Sequence, residues 1–265
     1  MSAGADKGAA PPTPPAPLPR LLLFRVFLRS LFLQASWNPQ GMQNLGLAYA
    51  VYPALRRLYP DPEGQASAVR RHLAFFNTHP YVAAAIVGGV LFHEERIARG
   101  EERPEAVVAF KAALMGPLAA LGDGFFWLSL RPAVGALAAA LVPVIFAWAA
   151  VVYLVLYNLV HLTLRAWLFA LGYRLGDRLV ERLAQANLPG RGARLRAVAA
   201  ASAGASAAYL AMHFGSQQGG AWGPALAAGC LGMGAVSYFL VGRKLSGYAL
   251  LYLSAGLAVL AGALL

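Results

Sequence analysis

Long apolar runs alternate with short polar segments along most of this chain. The run at residues 134–157, VGALAAALVPVIFAWAAVVYLVLY, contains no ionisable residue other than tyrosine. About 20 such residues are enough for a helix to cross the hydrocarbon core of a bilayer. Three further runs follow at residues 197–214, 222–241 and 248–265. The pattern predicts an all-α polytopic membrane protein with about four full spans in its C-terminal half.

The N-terminal residues carry two other patterns. Residues 1–19 contain AAPPTPPAPLP, a proline-rich tract typical of a disordered tail. Residues 20–34, RLLLFRVFLRSLFLQ, place Arg25 and Arg29 on one helical face, with Leu and Phe around the rest. This predicts an amphipathic helix in the cytoplasmic interface of the membrane. A first spanning helix with snorkelling arginines is the alternative.

Residues 35–265 are expected to form one membrane-embedded domain, whose first part, residues 35–132, mixes polar and apolar residues. In FFNTHPYVAAA, the polar residues Asn77, Thr78 and His79 are followed directly by Pro80. Pro80 suits the first turn of a short helix over 80–92, with Thr78 or His79 as its cap. That helix is too short to cross a bilayer, and Gly100 is a plausible residue to end it.

The segment at residues 111–132, KAALMGPLAALGDGFFWLSLRP, repeats this design. We expect two half-helices, the second capped by Asp123, and broken helices in a bilayer require protein or a water-filled cavity beside the freed backbone. Paired interrupted segments are typical of a transporter's substrate site. The pattern therefore favours broken or re-entrant helices around a polar pathway over a bundle with ordinary loops. Its backbone breaks are expected at Pro80, Gly116, Pro117, Gly122 and Gly124.

Composition agrees with a membrane protein. Hydrophobic residues make up 59% of the 265 residues and charged residues only 12%, about half the usual share in soluble domains, and the mean hydropathy is +0.56. The net charge of +11 would point to nucleic acid in a soluble protein. Here the arginines lie beside the apolar runs, which favours the positive-inside rule over a nucleic-acid partner.

The distribution of arginine predicts a topology. Segment 158–196 carries seven arginines, whereas GSQQGG at residues 215–220 carries no charge. We therefore expect the N-terminus, residues 158–196 and residues 242–247 in the cytoplasm, and residues 215–221 outside.

Catalytic and metal-binding signals are weak. The sequence contains no Walker-type loop, no paired cysteines and no serine nucleophile elbow, and its five histidines lie in no recognisable phosphoacceptor context. The HEERI segment has Ile97 where a metalloprotease helix needs a second histidine, so Glu94 and Glu95 are expected at a solvated helix end. We expect a chain that is not catalytic by itself and that binds no metal or cofactor.

Two sequence blocks carry a family resemblance. RRHLAFFNTHP and LMGPLAALGDGFFWLSLRP, with RSLFLQASWNPQGMQNLGLAYAVYPALRRLYP and YNLVHLTLRAWLFALGYRLG, resemble the IID subunit of mannose/fructose/sorbose-family phosphotransferase-system (PTS) sugar permeases. The similarity runs in order from about Arg20 to Gly176. Gly124 departs from the family, where Pro or Ser is common, and so do Leu128 and Ser129, where Gly-Thr is common.

The resemblance implies a multi-pass protein of the bacterial cytoplasmic (inner) membrane. It implies a IIC membrane subunit as partner, a trimer of IIC–IID pairs in the lipid bilayer, and cytoplasmic IIA and IIB phosphocarriers. The implied activity is hexose uptake coupled to phosphorylation of the sugar by phospho-IIB. The part after Arg196 is short, with only GSQQGGAWG where many relatives insert a long polar segment between their last apolar runs. A regulatory or transport-inactive scaffold is therefore an alternative, and an unrelated membrane enzyme is another.

Under this resemblance, six side chains are candidates for the substrate pathway, each with a structural alternative. Asp123 could bond a sugar hydroxyl or cap the next half-helix, and Trp127 could stack on a pyranose or pack against a neighbour. Arg131 could pair with an acid or snorkel to the interface. The full set is Asn77, Thr78, His79, Asp123, Trp127 and Arg131.

Overall fold

The computed structural model describes residues 16–217 and, beyond them, residues 228, 229, 232, 236 and 256. The predicted runs at 222–241 and 248–265 and most of the predicted tail 1–19 therefore lie outside the described residues. The described part of the chain is α-helical with short connections, as the fold-class prediction requires. Its helices are α1 Arg20–Ser30, α2 Asn44–Leu58, α3 Pro62–His72, α4 Ala83–Ala98, α5 Pro104–Gly122, a π-helical segment Asp123–Leu130, α6 Arg131–Ile145, α7 Trp148–Leu175, a 3₁₀ turn Gly176–Arg178, α8 Leu179–Gln185 and α9 Leu188–Gln217.

The described residues form two units. Residues 16–128 with 157–192 make the first, and residues 129–156 with 193–217 make the second. The first unit holds a core of aliphatic and aromatic side chains from α2, α4, α5 and α7, among them Leu47, Val51, Ile86, Phe110 and Leu168. In the second unit, Arg196 of α9 donates a hydrogen bond to the hydroxyl of Ser129 at 2.8 Å.

Helix α1 begins where the sequence predicts and ends at Ser30, four residues before the predicted end at residue 34. Val26 and Ser30 face the core, while Leu21 and Phe24 are 80% and 56% exposed. Exposed large apolar side chains of this kind suit a lipid surface. The position of α1 in the membrane interface stays a prediction.

No helix covers residues 73–82, and this stretch includes the predicted break at residues 77–80. The capping role of Thr78 or His79 is wrong, however. Helix α4 begins at Ala83, its N-cap position is Val82, and no side chain caps it. Helix α4 also continues to Ala98, beyond the predicted end at residue 92, and Gly100 follows it with a φ of +73°. That φ suits glycine after a helix end.

The predicted breaks at Gly116, Pro117, Gly122 and Gly124 are wrong. Pro117 lies inside α5, and helical residues follow one another from Pro104 to Ile145. Asp123 has helical angles, φ −60° and ψ −47°, so it cannot act as an N-cap. A helix in apolar surroundings keeps its backbone hydrogen bonds, because the alternatives lack water. A π-helical register over Asp123–Leu130 is the irregularity that the structure has instead.

The predicted span 134–157 is also interrupted. Helix α6 ends at Ile145, Phe146 has a φ of +49°, and α7 begins at Trp148. Gly135 and Val142 of α6 line a groove with Ala149 and Tyr153 of α7, so the two helix ends pack side by side in the second unit. An uncharged apolar run gives no sequence signal of a sharp turn. The hydrophobic pattern therefore predicted one helix where the structure has two.

Two stretches of the described residues are long and apolar enough to cross a membrane by length and composition: Pro104–Ile145 and Trp148–Gln185. The second stretch overlaps segment 158–196, which the charge pattern placed wholly in the cytoplasm. Residues 158–175 of that segment belong to the largely apolar helix α7 and are thus part of a stretch that could cross the membrane. The predicted run at 197–214 is helical within α9. The number of spans and their orientation stay predictions.

Candidate functional site

The non-helical segment 73–82 is held by hydrogen bonds from the start of α2. The side chain of Gln43 donates to the carbonyl of Thr78 at 2.7 Å and accepts from its N–H at 3.1 Å. The backbone N–H of Gln43 donates to the carbonyl of Phe76 at 2.8 Å, and Asn44 Nδ2 donates to the carbonyl of Leu73 at 2.6 Å. The freed backbone groups thus find protein partners, which makes an unwound segment stable in an apolar setting.

Six aromatic rings cluster where this segment meets the π-helical segment and α7. The His79 ring stacks on Phe126 with centroids 5.2 Å apart and planes 12° apart. The Trp127 ring lies 5.2 Å from His79 and 5.8 Å from Tyr81. Tyr81 also contacts two rings of α7. We call this the aromatic cluster, and its members are His79, Tyr81, Phe126, Trp127, Tyr157 and His161.

The π-helical segment brings the rings of Phe126 and Trp127 to the cluster. Gly122, the last residue of α5, contacts the His79 side chain so closely that a β-carbon there would overlap His79 Cβ and Cγ. Gly122 therefore matters through close packing and not as a helix break. π-helical turns often occur at functional sites because they change the direction of the side chains that follow.

Several buried polar atoms in this region have no hydrogen-bond partner among the described residues: Thr78 Oγ1, His79 Nε2 and both ring nitrogens of His161. Burial, together with the nearby His161 and the charge of Arg165, lowers the pKa of His79 to about 4. His79 is therefore neutral at pH 7. Aromatic faces beside neutral donors and acceptors suit a polar, uncharged ligand.

Of the six predicted pathway residues, the structure brings Thr78, His79 and Trp127 together. Asn77 and Asp123 are exposed, and Asn77 donates its backbone N–H to the sulfur of Met115 at 3.4 Å. Arg131 belongs to the second unit. Whether any of these six side chains touches a substrate stays a prediction.

The sequence analysis missed four residues of this region. Gln43 supports Thr78, Phe126 supports His79, and His161 was not singled out although it interrupts an apolar stretch. Arg165 was assigned to a cytoplasmic segment, yet it is buried and donates a hydrogen bond to the carbonyl of Ser30. Single polar residues in an apolar helix are the signal that could have identified His161 and Arg165.

A second polar group surrounds Glu94, whose side chain is fully buried. Arg71 forms a bidentate ion pair with Glu94: Nε donates to Oε1 at 2.7 Å and a terminal nitrogen donates to Oε2 at 2.9 Å. The Tyr59 hydroxyl donates to Oε2 at 2.7 Å, and His72 Nε2 lies 2.8 Å from Oε1. Lys111 Nζ donates to the Arg71 carbonyl at 2.6 Å.

This Glu94 cluster contradicts the expected solvated helix end at Glu94 and Glu95. Burial alone would raise the pKa of Glu94, but the hydrogen bonds from Arg71 and His72 hold it at about 2. Burial lowers the pKa of His72 and raises that of Tyr59, so both are neutral donors at pH 7. Glu95 is also buried and accepts from the Leu18 N–H at 2.6 Å and from the Tyr173 hydroxyl at 2.8 Å. The Glu94 cluster joins α3 and α4 to Tyr59, the residue after α2, and both oxygens of the Glu94 carboxylate are bonded. This is the arrangement of a structural ion pair.

Within the described part of the chain, no group of three or more His, Cys, Asp or Glu side chains is placed to hold a metal ion.

Comparisons with known proteins agree on one family. Residues 18–198 match the family described as "PTS system mannose/fructose/sorbose family IID component". The chain is 44% identical over 158 residues to the PTS system mannose-specific EIID component of Escherichia coli K12, which covers 59% of this chain and 56% of that protein. It is 37% identical over 155 residues to the sorbose-specific EIID component of Klebsiella pneumoniae, covering 58% of this chain and 57% of the relative. The matches thus span less than two thirds of these relatives' length.

Two solved structures of membrane proteins are also similar to this chain. A cryo-EM structure of the mannose transporter ManYZ in complex with microcin E492 contains a chain with a TM-score of 0.58 and 29% identity, covering 93% of this chain and 96% of that chain. Another solved membrane protein has a TM-score of 0.63 and 39% identity, covering 69% and 68% of the two chains. The family match covers more than half of the sequence, and its residues include α1 to α8, the aromatic cluster and the Glu94 cluster. The chain therefore belongs to the IID components of the mannose/fructose/sorbose family of the phosphotransferase system.

Proposed function

We propose that this chain is the IID membrane subunit that forms, with a IIC subunit, the translocation unit for a hexose. In this proposal uptake is coupled to phosphorylation by phospho-IIB, which receives its phosphoryl group from IIA. The IIC–IID pairs assemble as trimers in the bacterial cytoplasmic membrane, with the N-terminus of this chain in the cytoplasm. The family match and the name of the ManYZ structure support this assignment.

A role in translocation is supported by buried polar atoms in and beside the aromatic cluster that have no hydrogen-bond partner within the described residues. Buried hydroxyl and imidazole groups are nearly always hydrogen-bonded in folded proteins. Thr78 Oγ1 and His79 Nε2 lack a partner within the described residues. A sugar hydroxyl, a water on the pathway or a polar group of IIC would supply the missing bond. The neutral state of His79 suits each of these and disfavours a role in binding a phosphate.

The chemistry of phosphoryl transfer is assigned to the partner subunits. The part played by this chain is to form one wall of the pathway, with Trp127 as an aromatic face and Thr78 and His79 as neutral hydrogen-bonding groups. Trp127 is 36% exposed, so its ring is accessible to a second molecule. The apolar C–H face of a pyranose ring can pack against the negatively polarised face of an aromatic ring.

Co-expression of this chain with IIC and IIB, followed by uptake of labelled hexoses, tests the proposal. The informative variant is Thr78→Val, which keeps the shape of the side chain and removes only the hydroxyl. The chain itself should fold as well as the unaltered one, because the hydroxyl has no partner within its described residues. Uptake is normalised to the amount of assembled IIC–IID complex, and a loss of assembly would assign the missing bond to IIC. Uptake should fall by about three- to tenfold, the loss expected for one neutral hydrogen bond.

Thr163→Val is the matched control, since Thr163 is exposed on α7 and lines a different cavity. Its uptake should equal that of the unaltered complex. Unchanged uptake in Thr78→Val would remove Thr78 from the pathway. Failure of the unaltered complex to take up any hexose would contradict the transport function itself.

A regulatory or transport-inactive scaffold is the second candidate. The observation that favours it is the short uncharged segment GSQQGGAWG at residues 215–223. The family resemblance implies a longer polar segment at this place. A complex that assembles with IIC but gives no uptake of any hexose would support this second function. Neighbouring genes for IIA, IIB and IIC would favour the first.

A further inference from the structure

A groove of about 530 Å³ runs between α1 and α7 in the first unit. The two helices are antiparallel, as three pairs of contacts indicate. The Leu18 N–H and the Tyr173 hydroxyl both bond Glu95 at one end. Phe27 and Phe169 contact each other further along, with ring centroids 5.7 Å apart. Arg165 bonds the carbonyl of Ser30 at the other end.

The lining of the groove separates into an apolar part and a basic end. Arg20, the first residue of α1, and Arg174, in the last turn of α7, lie at the end marked by Leu18 and Tyr173. Both arginines are exposed, and neither has a hydrogen bond or ion pair within the described residues. Glu95, the carboxylate that bonds Leu18 and Tyr173 at this end, is buried and already bonded. The apolar lining residues are Leu23, Phe24, Phe27, Ala166, Phe169 and Ala170.

From this arrangement we propose that the groove between α1 and α7 is a binding site for one anionic phospholipid. The phosphate lies between the guanidinium groups of Arg20 and Arg174, and an acyl chain lies along the apolar lining towards Phe27. Arginine binds phosphate through paired N–H donors. Basic residues at the end of a membrane helix attract anionic headgroups. The proposal does not depend on sugar transport.

A phospholipid fits this groove better than a soluble anion or an acidic peptide. A free phosphate would use only the two arginines and leave the apolar lining uncovered. An acidic peptide would bring backbone polar groups against Phe24 and Phe169, where the described residues lining the groove offer few partners. Helix α7 belongs to a stretch that is long and apolar enough to cross a membrane, so lipid is the neighbour that is always present.

Native mass spectrometry of the full chain in mild detergent, titrated with phosphatidylglycerol, tests the site. The double variant Arg20→Gln/Arg174→Gln should bind phosphatidylglycerol about 30-fold more weakly, the effect of losing two basic residues at an anionic headgroup. The control Arg103→Gln/Arg178→Gln removes the same charge from exposed positions outside the groove. It should bind as the unaltered chain does.

Three further binding measurements identify the chemical class of the ligand. Phosphatidylcholine should bind weakly to the unaltered chain, and glycerol phosphate should not compete with phosphatidylglycerol, because it lacks acyl chains. Ala170→Phe should fill the apolar part of the groove and reduce binding while both arginines remain. Equal losses in the two double variants would overturn the proposal in favour of general surface charge. Competition by glycerol phosphate would overturn it in favour of a soluble anion.

Discussion

Gly122 of α5 packs directly against the side chain of His79, leaving no room for a β-carbon between them. We predict that Gly122→Ala destabilises the protein by about 1–3 kcal/mol, the usual cost of overpacking a buried contact. The His79 ring would have to leave its stack on Phe126, so uptake should fall as well. Thermal unfolding in detergent measures the first effect.

Gly116→Ala is the control for this prediction, since it adds the same methyl group to the same helix. Nothing lies within 4 Å of a β-carbon at Gly116. Replacement of glycine by alanine in a helix interior stabilises it by up to about 1 kcal/mol. Equal unfolding temperatures for the two variants would show that the contact between Gly122 and His79 is not tight.

Asp61 and Asp123 should respond differently to the same substitution. Asp61 caps α3 by accepting a hydrogen bond from the Gly64 N–H at 2.5 Å, whereas Asp123 has helical angles and is exposed. Asp61→Ala should cost about 1 kcal/mol, and Asp123→Ala should stay within about 0.5 kcal/mol of the unaltered protein. Thermal unfolding measures both, and equal losses in the two variants would contradict the different roles assigned to Asp61 and Asp123.

The pair formed by Arg71 and Glu94 should show strong coupling. Glu94→Gln leaves the largely buried Arg71 without its counter-charge, and we expect a loss of about 3–5 kcal/mol. The double variant Arg71→Met/Glu94→Gln removes both charges and should lose less than the sum of the losses in Arg71→Met and Glu94→Gln. A double-mutant cycle by chemical unfolding measures the coupling.

Glu101→Gln is the control, because Glu101 forms exposed ion pairs with Arg96 and Arg99. Pairs of that kind contribute less than about 1 kcal/mol. If the losses from Arg71 and Glu94 simply add, the two residues act separately and the Glu94 cluster is not a unit.

The stability of the chain should fall in acid through His79. Its pKa of about 4 lies below the ordinary 6.5, so the unfolded chain binds a proton more readily than the folded one. The stability from neutral His79 is complete above pH 6.5 and is lost as the pH falls towards 4. At pH 5 the loss is about 2 kcal/mol. His79→Phe keeps an aromatic ring on Phe126 and should flatten the decline in unfolding temperature between pH 7.5 and 5.

The charge asymmetry predicts that Arg194 lies in the cytoplasm and Gln217 outside. A cysteine at Gln217 should react with an impermeant thiol reagent added to intact cells, and a cysteine at Arg194 should react only after lysis. Because the single native cysteine, Cys230, lies in an apolar run, it should be replaced by serine first. Labelling of Arg194→Cys in intact cells would show that the orientation is the reverse of the predicted one.

The sequence by itself determined the class of the protein and several local features. Uncharged runs of the required length predict membrane helices, because hydrocarbon excludes ionised groups. The succession Asn77, Thr78, His79 and Pro80 predicts a break, because proline cannot donate a backbone hydrogen bond. The end of a helix before Gly100 follows from a conformation that glycine adopts readily.

Tertiary structure decided the features that depend on distant neighbours. Pro117 and Gly122 look like helix breaks when considered locally, yet α5 continues through Pro117 and passes into the π-helical segment. Glu94 and Arg165 look like surface charges in the sequence, but both are buried. Glu94 accepts a hydrogen bond from Arg71, and Arg165 donates one to the Ser30 carbonyl. The aromatic cluster joins residues more than 80 positions apart. Local residue types set the cost of each conformation, but the neighbours that offset that cost come from other helices and are fixed only by the fold.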